Sequence, residues 1–222
     1  MPDFTFEQRA LDGLKGKGFI AGIDEAGCGP WAGPVVAGAV IFPDFKTVPQ
    51  DLLTLLDDSK KLTAKRRENA YETLRSSEGV HCYIGCAQAS EAEIDRLNIR
   101  QGALLAMARA VEALPIEPVF ALVDGLCAPV LGCPLQTVKK GDSLSFSIAA
   151  ASIIAKVSRD KIMRKLAQQY PGYGWETNAG YGTKGHQEAL AHQGITPHHR
   201  RSFAPIARLC QGKEKREDKV AA

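Results

Sequence analysis

Short apolar runs of strand length recur along the first two thirds of the chain, and each is bounded by Gly, Pro or polar residues. Runs of this kind, rich in branched apolar residues, predict β-strands. Five such runs lie at 18–27, 34–42, 81–89, 118–124 and 134–140. Gly and Pro residues at 27–34 indicate a turn after the first run, so we expect the first three strands to pair as an antiparallel meander.

Helical spacing of apolar residues characterises the segments between and after these runs. Thr63 is placed to cap one predicted helix, and Asp142 or Ser143 is placed to cap a long later one. The first half of that long helix is apolar or small on all sides, so it should be buried. Strands that alternate with helices favour a mixed α/β sheet with helices on both faces. We predict helices or helical turns at 4–14, 51–56, 63–75, 99–114, 141–170 and 184–193.

Composition narrows the class of protein further. Of the 222 residues, 45% are apolar and 24% are charged, which is typical of globular chains and excludes a disordered chain, a collagen-like repeat and a coiled coil. No apolar run reaches membrane-spanning length, and the N-terminus lacks the pattern of a signal peptide. The six cysteines include no C-x-x-C pair. We therefore expect reduced thiols, a cytoplasmic location and no membrane partner, while the net charge of +3 permits an anionic partner.

Four acidic residues lie at the ends of segments that should be buried. Asp24 and Glu25 end the first predicted strand, Asp124 ends the fourth, and Asp142 opens the long helix. Each of them alone fits an ordinary cap or turn residue. Carboxyl ends of strands in α/β sheets are the usual place for ligands. If these ends converge, pairs of carboxylates repel by about 4 kcal/mol at about 4 Å, and two hard divalent cations, Mg²⁺ or Mn²⁺, would neutralise them.

Glycine-rich and basic segments give weaker signals. Residues 27–32 match G-x-G-x-x-A, but Pro34 and another strand follow where a dinucleotide site needs a helix, so we reject that interpretation. The glycines instead allow the backbone to approach phosphate or sugar closely. Basic clusters at 60–67, 139–140 and 198–201 are either solvated surface or a phosphate-binding track.

Five blocks of sequence stand in an order that belongs to a known family. They are GIDEAGCGPWAGPVVAGAV, DSKKLTAKRRE, ALVDG, KKGDSLSFSIAAASIIAKVSRD, and NAGYGTKGHQEAL with HHRRSF. From about residue 18 to about residue 206 the chain resembles bacterial ribonuclease HII. The resemblance implies an RNase H-like α/β fold with a mixed five-stranded sheet. The expected division is an N-terminal extension at 1–17, a catalytic core at 18–170, a C-terminal helical substrate-binding portion at 171–211 and a flexible tail at 212–222.

The resemblance assigns the four acids that placement also singles out. Asp24, Glu25, Asp124 and Asp142 match the family's catalytic, metal-binding carboxylates. The implied activity is cleavage of the RNA strand of RNA–DNA hybrids and incision 5′ to a single ribonucleotide in duplex DNA. The implied mechanism is two-metal hydrolysis with Mn²⁺ or Mg²⁺, which leaves 5′-phosphate and 3′-hydroxyl ends.

Substrate-binding residues also carry over from the resemblance. Gly27 and Gly29 match the outer glycines of a Gly-Arg-Gly loop that senses the ribose 2′-OH through backbone atoms. Tyr181 matches a tyrosine that packs on the deoxyribose at the RNA–DNA junction. Lys60 and Lys61 match a basic pair near the phosphate backbone.

Cys28 departs from the family pattern, because it stands where the loop has arginine. A thiol offers neither the five donors nor the fixed charge of a guanidinium group. Recognition through the backbone survives this change, whereas a side-chain contact with phosphate is lost.

Several alternatives remain beside this interpretation. Ribonuclease HIII shares the acidic core but carries a sizeable N-terminal domain, and only 23 residues precede Asp24 here. A domain that binds hybrids without cutting them would also fit the fold, although all four acids are present. A metal-dependent phosphatase for small molecules explains the acids but not the basic clusters. We expect a monomer that binds nucleic acid and admits a sliding clamp as a partner.

Overall fold

The strands form one mixed sheet in the computed structural model, which describes residues 1–57, 59 and 62–211. Within these residues the sheet has five strands in the order β3-β2-β1-β4-β5. Strand β1 runs antiparallel to β2 and parallel to β4, and β4 runs parallel to β5. The predicted mixed sheet and the antiparallel pairing of its first two strands are confirmed. The strands are β1 (Ile20–Ala26), β2 (Val35–Ile41), β3 (Tyr83–Ala89), β4 (Phe120–Asp124) and β5 (Leu135–Val138).

Helices occupy the predicted segments, and three further helices, α4, α7 and α9, were not predicted. A capping box formed by Ser90 and Glu93 marks the start of α4 in the sequence. Thr63 caps α3 as expected, since its side chain accepts a hydrogen bond from the Arg66 backbone N–H at 3.3 Å. The helices are α1 (Thr5–Gly13), α2 (Gln50–Leu55), α3 (Ala64–Ser76), α4 (Glu91–Leu97), α5 (Ile99–Glu112), α6 (Phe146–Gln169), α7 (Trp175–Asn178), α8 (Lys184–Gln193) and α9 (204–211).

Contacts divide the chain into two compact units. The first comprises Met1–Ala26, Val36–Gln88 and Ala103–Ser158, and it holds most of the sheet. The second comprises Gly27–Val35, Ala89–Gly102 and the chain from Arg159 onward. The boundaries of these units differ from those of the domains predicted from the sequence. The predicted domain division therefore stays a prediction.

Glycines let α6 pack directly on the sheet of the first unit. A Cβ atom at Gly22 would collide with the backbone of Ser147, and one at Gly38 would collide with the Ala151 carbonyl. Residues 146–155 of α6 are all buried, as the sequence predicts for the first half of this helix, and their apolar side chains join those of α2, α3 and β2 in one core. Because side chains alternate between the faces of a strand, Asp24 lies on the same face of β1 as Gly22 and hence on the side of α6.

The start of α6 differs from the prediction of one continuous helix from residue 141. Gly141–Ser143 form a separate 3₁₀ turn, and α6 begins at Phe146. Neither Asp142 nor Ser143 caps α6, so that prediction is wrong. Instead the Ser145 hydroxyl accepts a hydrogen bond from the Ile148 backbone N–H at 3.2 Å. The turn separates Asp142 from the helix and frees its carboxylate from a capping role.

A buried acid from α1 anchors this region of the first unit. Glu7 is fully buried, and its Oε1 accepts hydrogen bonds from Ser145 Oγ at 2.6 Å and from the Ser147 backbone N–H at 2.9 Å. Burial raises the pKa of the Glu7 carboxyl, and these hydrogen bonds oppose the rise. The apolar stripe predicted α1, but no local pattern indicates that Glu7 reaches the first turn of α6.

We predict that Glu7→Ala lowers the melting temperature, because it leaves the buried donors of Ser145 and Ser147 unpaired. A loss of about 1–3 kcal/mol is expected, and each kcal/mol corresponds to about 2–4 °C in a chain of this size. Thermal unfolding followed by circular dichroism measures the change. Arg9→Ala, at an exposed position of the same helix, is the control, and an equal effect of both variants would contradict the anchor.

Candidate active site

Asp24 and Asp124 follow paired residues on neighbouring parallel strands. Ile23 on β1 is in register with Val123 on β4, so the two acids are the next residues at the same end of the sheet. Asp24 is 5% exposed, whereas Asp124 is half-buried. The parallel register thus brings together two acids that are 100 residues apart in the sequence.

A backbone hydrogen bond ties the turn that carries Asp142 to Asp124. The Gly141 N–H donates to Asp124 Oδ1 at 2.7 Å. A Cβ atom at position 141 would lie 2.5 Å from Ile148 Cδ1 and 3.2 Å from Val138 Cβ, so only glycine fits without displacing a neighbour. Asp142 follows directly and is 6% exposed. The first unit therefore gathers all these acids at one edge of its sheet.

The charges of three neighbouring carboxylates act on Asp24. Burial raises the pKa of Asp24 well above its usual range, and the charges of Glu25, Asp124 and Asp142 raise it further. A hydrogen bond from the Glu25 backbone N–H to Asp24 Oδ1, at 2.6 Å, opposes the rise in part. The folded chain consequently disfavours ionised Asp24 unless positive charge is supplied nearby.

The donor chemistry of this cluster fits hard divalent cations, which take carboxylate oxygens as ligands. In the part of the chain that the structure describes, no three His, Cys, Asp or Glu side chains form a group that could already hold an ion. The fit therefore rests on oxygen donors and accumulated negative charge, and it does not extend to a preformed cage of ligands.

We predict that Asp24→Asn raises the melting temperature at pH 7 in a chelating buffer. Because the folded pKa of Asp24 lies above its ordinary value, wild-type stability falls as the pH rises past that ordinary value. Asparagine is neutral and keeps an oxygen for the Glu25 N–H. A gain of about 1 kcal/mol, or about 2–4 °C, is expected, and it should vanish below about pH 3.5, where Asp24 is protonated in both states.

The measurement is thermal unfolding of both proteins across this pH range, with exposed Asp12→Asn as the control. If Asp24→Asn is no more stable than wild type at pH 7, the carboxylates do not repel one another as described.

Two buried arginines in the second unit hold the glycine-rich loop by its carbonyl oxygens. The fully buried Arg200 donates through Nη2 to Gly27 O at 2.7 Å, through Nη1 to Cys28 O at 3.3 Å and to Pro30 O at 2.8 Å, and through Nε to Gly33 O at 2.9 Å. The side chain at position 28 takes no part in these bonds. The shape of the loop therefore does not depend on an arginine at that position.

Arg159 completes the support of this loop. It is 1% exposed and donates to Pro34 O at 3.0 Å, Ala32 O at 3.1 Å and Ala179 O at 3.0 Å. Burial lowers the pKa of Arg159, and burial together with the Arg159 charge lowers the pKa of Arg200 to about 10. Both guanidinium groups stay protonated at neutral pH, so two positive charges sit behind the loop.

Two residues of the basic cluster at 198–201 are therefore not available to solvent or phosphate, whereas Arg201 is exposed. His199 and Arg200 are buried within the second unit, and His198 Nδ1 pairs with Glu91 Oε1 at 2.9 Å. Sequence reasoning missed this because a buried arginine and an exposed one leave the same local pattern. The available sign of a buried segment was the pair of histidines that precedes the arginines, in a stretch rich in turn residues.

Tyr181 presents an exposed aromatic ring beside the same loop. Its side chain is 50% exposed, and a Cβ atom at Gly29 would lie 3.2 Å from Tyr181 Cε1. The structure thus brings Gly27, Cys28, Gly29 and Tyr181 together in the second unit. Lys60 and Lys61, the remaining substrate-binding candidates, lie outside the described residues.

A buried pair of histidines lies behind Tyr181. His186 Nδ1 lies 2.9 Å from the Tyr181 carbonyl oxygen, and His186 Nε2 lies 3.0 Å from His199 Nε2. Trp175 Nε1 also donates to His186 Nε2 at 3.2 Å, and the Thr196 backbone N–H donates to His199 Nδ1 at 2.9 Å. Burial lowers the pKa of His186, and burial and His186 lower the pKa of His199 to about 4. Both rings are neutral at pH 7.

We predict that His199 makes the protein less stable in acid. The pKa of His199 is about 4 in the folded chain and 6.5 in the unfolded chain. Between these two pH values the unfolded chain therefore binds a proton at His199, whereas the folded chain does not. Stability therefore falls as the pH drops from about 6.5 to about 4, by up to about 3 kcal/mol. His199→Gln should show a smaller drop in melting temperature between pH 7 and pH 4.5, whereas exposed His192→Gln should keep the full drop.

Comparison with known proteins gives consistent matches. A family model described as ribonuclease HII matches residues 21–206. A ribonuclease HII of Gluconobacter oxydans is 54% identical over 213 residues, which cover 95% of this chain and 97% of that protein. The ribonuclease H2 structure from Pyrococcus horikoshii has a TM-score of 0.70 and 26% identity, covering 86% of this chain and 96% of that one.

A second solved structure is the PCNA:RNase HII complex from Archaeoglobus fulgidus. It has a TM-score of 0.67 and 27% identity, and it covers 83% of this chain and 95% of that one. The range 21–206 that the family model matches contains the four acids, the glycine-rich loop and Tyr181.

Proposed function

Since the chain belongs to the ribonuclease HII family and acts as an endoribonuclease on RNA–DNA hybrids, we propose that it also incises duplex DNA 5′ to a single embedded ribonucleotide. The products would be 5′-phosphate and 3′-hydroxyl ends. The observation that carries the proposal is that the register of β1 and β4 places Asp24 and Asp124 at the same strand ends, while the Gly141 N–H ties the turn that carries Asp142 to Asp124.

We propose Asp24, Glu25, Asp124 and Asp142 as the carboxylates that hold two divalent cations, Mg²⁺ or Mn²⁺. Such ions, when bound, activate a water molecule and stabilise the leaving oxygen of a phosphodiester. The chain itself contributes the placement of the oxygens. Gly141 N–H fixes the Asp124 carboxylate, and the strand register fixes Asp24 beside it.

Recognition of the ribonucleotide is proposed for the loop at 27–29 and for Tyr181. The ribose 2′-OH distinguishes RNA from DNA, and backbone groups of Gly27 and Gly29 can approach it closely because they lack side chains. The exposed Tyr181 ring offers a face for stacking on the adjacent sugar. Cys28 supports the same loop shape through its carbonyl contact with Arg200. We also propose that Lys60 and Lys61 bind near the phosphate backbone.

A sliding clamp is the protein partner that we propose. The basis is the Archaeoglobus fulgidus relative, which was solved as a complex with PCNA. Among the described residues, no helix is long and apolar enough to cross a membrane.

We predict that the protein, with Mg²⁺ or Mn²⁺, cuts a labelled DNA duplex on the 5′ side of a single ribonucleotide and leaves an all-DNA duplex intact. Asp124→Asn should slow this incision by about 10³-fold, because several kcal/mol of charge stabilisation would be lost. Its affinity for the duplex should change by less than about threefold, since one ligand oxygen is exchanged for an amide. Denaturing gels measure the cut, and fluorescence anisotropy measures binding.

Each other result has a distinct meaning. Cleavage of continuous RNA–DNA hybrids alone would overturn ribonucleotide incision while leaving the acids as the catalytic site. Binding of hybrids without any cleavage would favour a domain that only holds nucleic acid. Turnover by Asp124→Asn at the wild-type rate would overturn the role of Asp124.

A further inference from the structure

The hydrogen bonds around His186 and His199 have one consistent set of proton positions when both rings are neutral. His199 Nδ1 faces the Thr196 N–H donor, so it is an acceptor, and its proton lies on Nε2. His186 Nδ1 faces the Tyr181 carbonyl oxygen, so it carries the proton, and His186 Nε2 accepts. The His199 Nε2–H then donates to His186 Nε2 at 3.0 Å, and the Trp175 Nε1–H shares the same acceptor at 3.2 Å. The result is a directed chain from Thr196 through both rings to Tyr181.

We propose that His186 and His199 are positioning residues for ribonucleotide recognition, because they fix the backbone of Tyr181 through this chain. The inference rests on the proposed role of Tyr181 as a substrate contact. It extends that role to two buried side chains in the second unit that do not touch the substrate.

Neighbouring glycines show how closely the Tyr181 backbone is confined. A Cβ atom at Gly180 would lie 2.5 Å from the Ala32 carbonyl oxygen, and a Cβ atom at Gly182 would fall inside the Trp31 ring. The Trp31 N–H also donates to the Gly180 carbonyl at 2.8 Å. Steric contact therefore confines Tyr181 on both sides. Its carbonyl oxygen accepts from the Thr183 backbone N–H at 2.8 Å, and His186 supplies the side-chain bond to the same oxygen.

The segment that carries His199 also holds the glycine-rich loop. The Gly33 N–H donates to the His198 carbonyl at 2.9 Å, and the Arg200 N–H donates to the Trp31 carbonyl at 2.8 Å. Arg200 then binds the carbonyl oxygens of the loop with its side chain. The loop and Tyr181, the two parts of the proposed ribose-reading surface, are thus held by consecutive residues of one buried segment.

Two substitutions at position 186 separate the bond to Tyr181 from general packing. His186→Asn places an amide N–H where Nδ1 lies and keeps a donor for the Tyr181 carbonyl. His186→Gln reaches the Nε2 position and removes the side-chain donor, so the Tyr181 carbonyl keeps only its bond from the Thr183 backbone N–H. Both remove the ring, so both lose packing; melting temperatures show whether each variant folds.

For a duplex with one ribonucleotide, we expect His186→Gln to raise KM by about three- to tenfold, the range that one lost hydrogen bond accounts for, with kcat nearly unchanged. His186→Asn should keep KM within about twofold of wild type. An equal rise in KM for both variants would overturn the proposal, since only packing would then be at stake.

Combination with Tyr181→Ala supplies a second readout. If His186 acts through Tyr181, adding His186→Gln to Tyr181→Ala should leave KM where Tyr181→Ala alone puts it. Multiplied effects of the two substitutions would overturn the proposal. If Tyr181→Ala leaves KM unchanged while incision continues, the positioning role falls but the proposed function stands. Failure of the wild-type protein to incise would instead overturn the proposed function.

Two substitutions at position 199, the next residue in this series of hydrogen bonds, keep the test independent of how well the variants at position 186 fold. His199→Gln places an amide donor toward His186 Nε2, whereas His199→Asn is too short to reach it and keeps only the acceptor for Thr196. We expect His199→Asn to raise KM and His199→Gln to raise it less. The reverse order would overturn the proposal.

Discussion

The fold of the first unit holds mutually repelling carboxylates together at the end of a buried strand. Asp24 is held out of water by the strand that carries it, and three other acids raise its pKa further. Such an arrangement lowers the stability of the fold in the absence of counter-charge. It persists because the strand register, the turn at Gly141–Ser143 and the packing of α6 determine the backbone positions independently of the acids. Divalent cations bound at these carboxylates would offset the repulsion, so the arrangement supports a cation site.

The second unit shows the opposite charge handled in a different way. Arg159 and Arg200 are buried beside each other, and backbone carbonyl oxygens rather than carboxylates surround them in their hydrogen bonds. Carbonyl dipoles satisfy the guanidinium donors without neutralising their charge. The loop is therefore held at several carbonyl oxygens and lies next to two positive charges. This arrangement also explains how the loop tolerates Cys28. The hydrogen bond from Arg200 goes to the carbonyl oxygen at that position, which any residue supplies.

Directed polar contacts distinguish the neighbourhood of Tyr181 from an ordinary apolar core. A Leu or Phe at position 186 would fill space but could not bind the Tyr181 carbonyl. Polar groups that are buried and fully paired fix one geometry, because any displacement leaves a donor or acceptor unpaired. The two neutral histidines meet this condition through their tautomers, so the exposed Tyr181 ring is attached to a backbone that is held in one position.

The sequence by itself determined the five strands, the predicted helices and the four acids, since strand and helix periodicity and the acids at the ends of apolar runs are local properties of the chain. It also carried the family blocks that give Gly27, Gly29 and Tyr181 their expected roles. Only the tertiary structure decided that Ser145 rather than Asp142 caps α6, that Glu7 anchors this helix, and that His199 and Arg200 are buried. Each of these depends on a partner far away in the sequence. A local pattern records the type of a side chain, but only the fold decides which donor meets which acceptor.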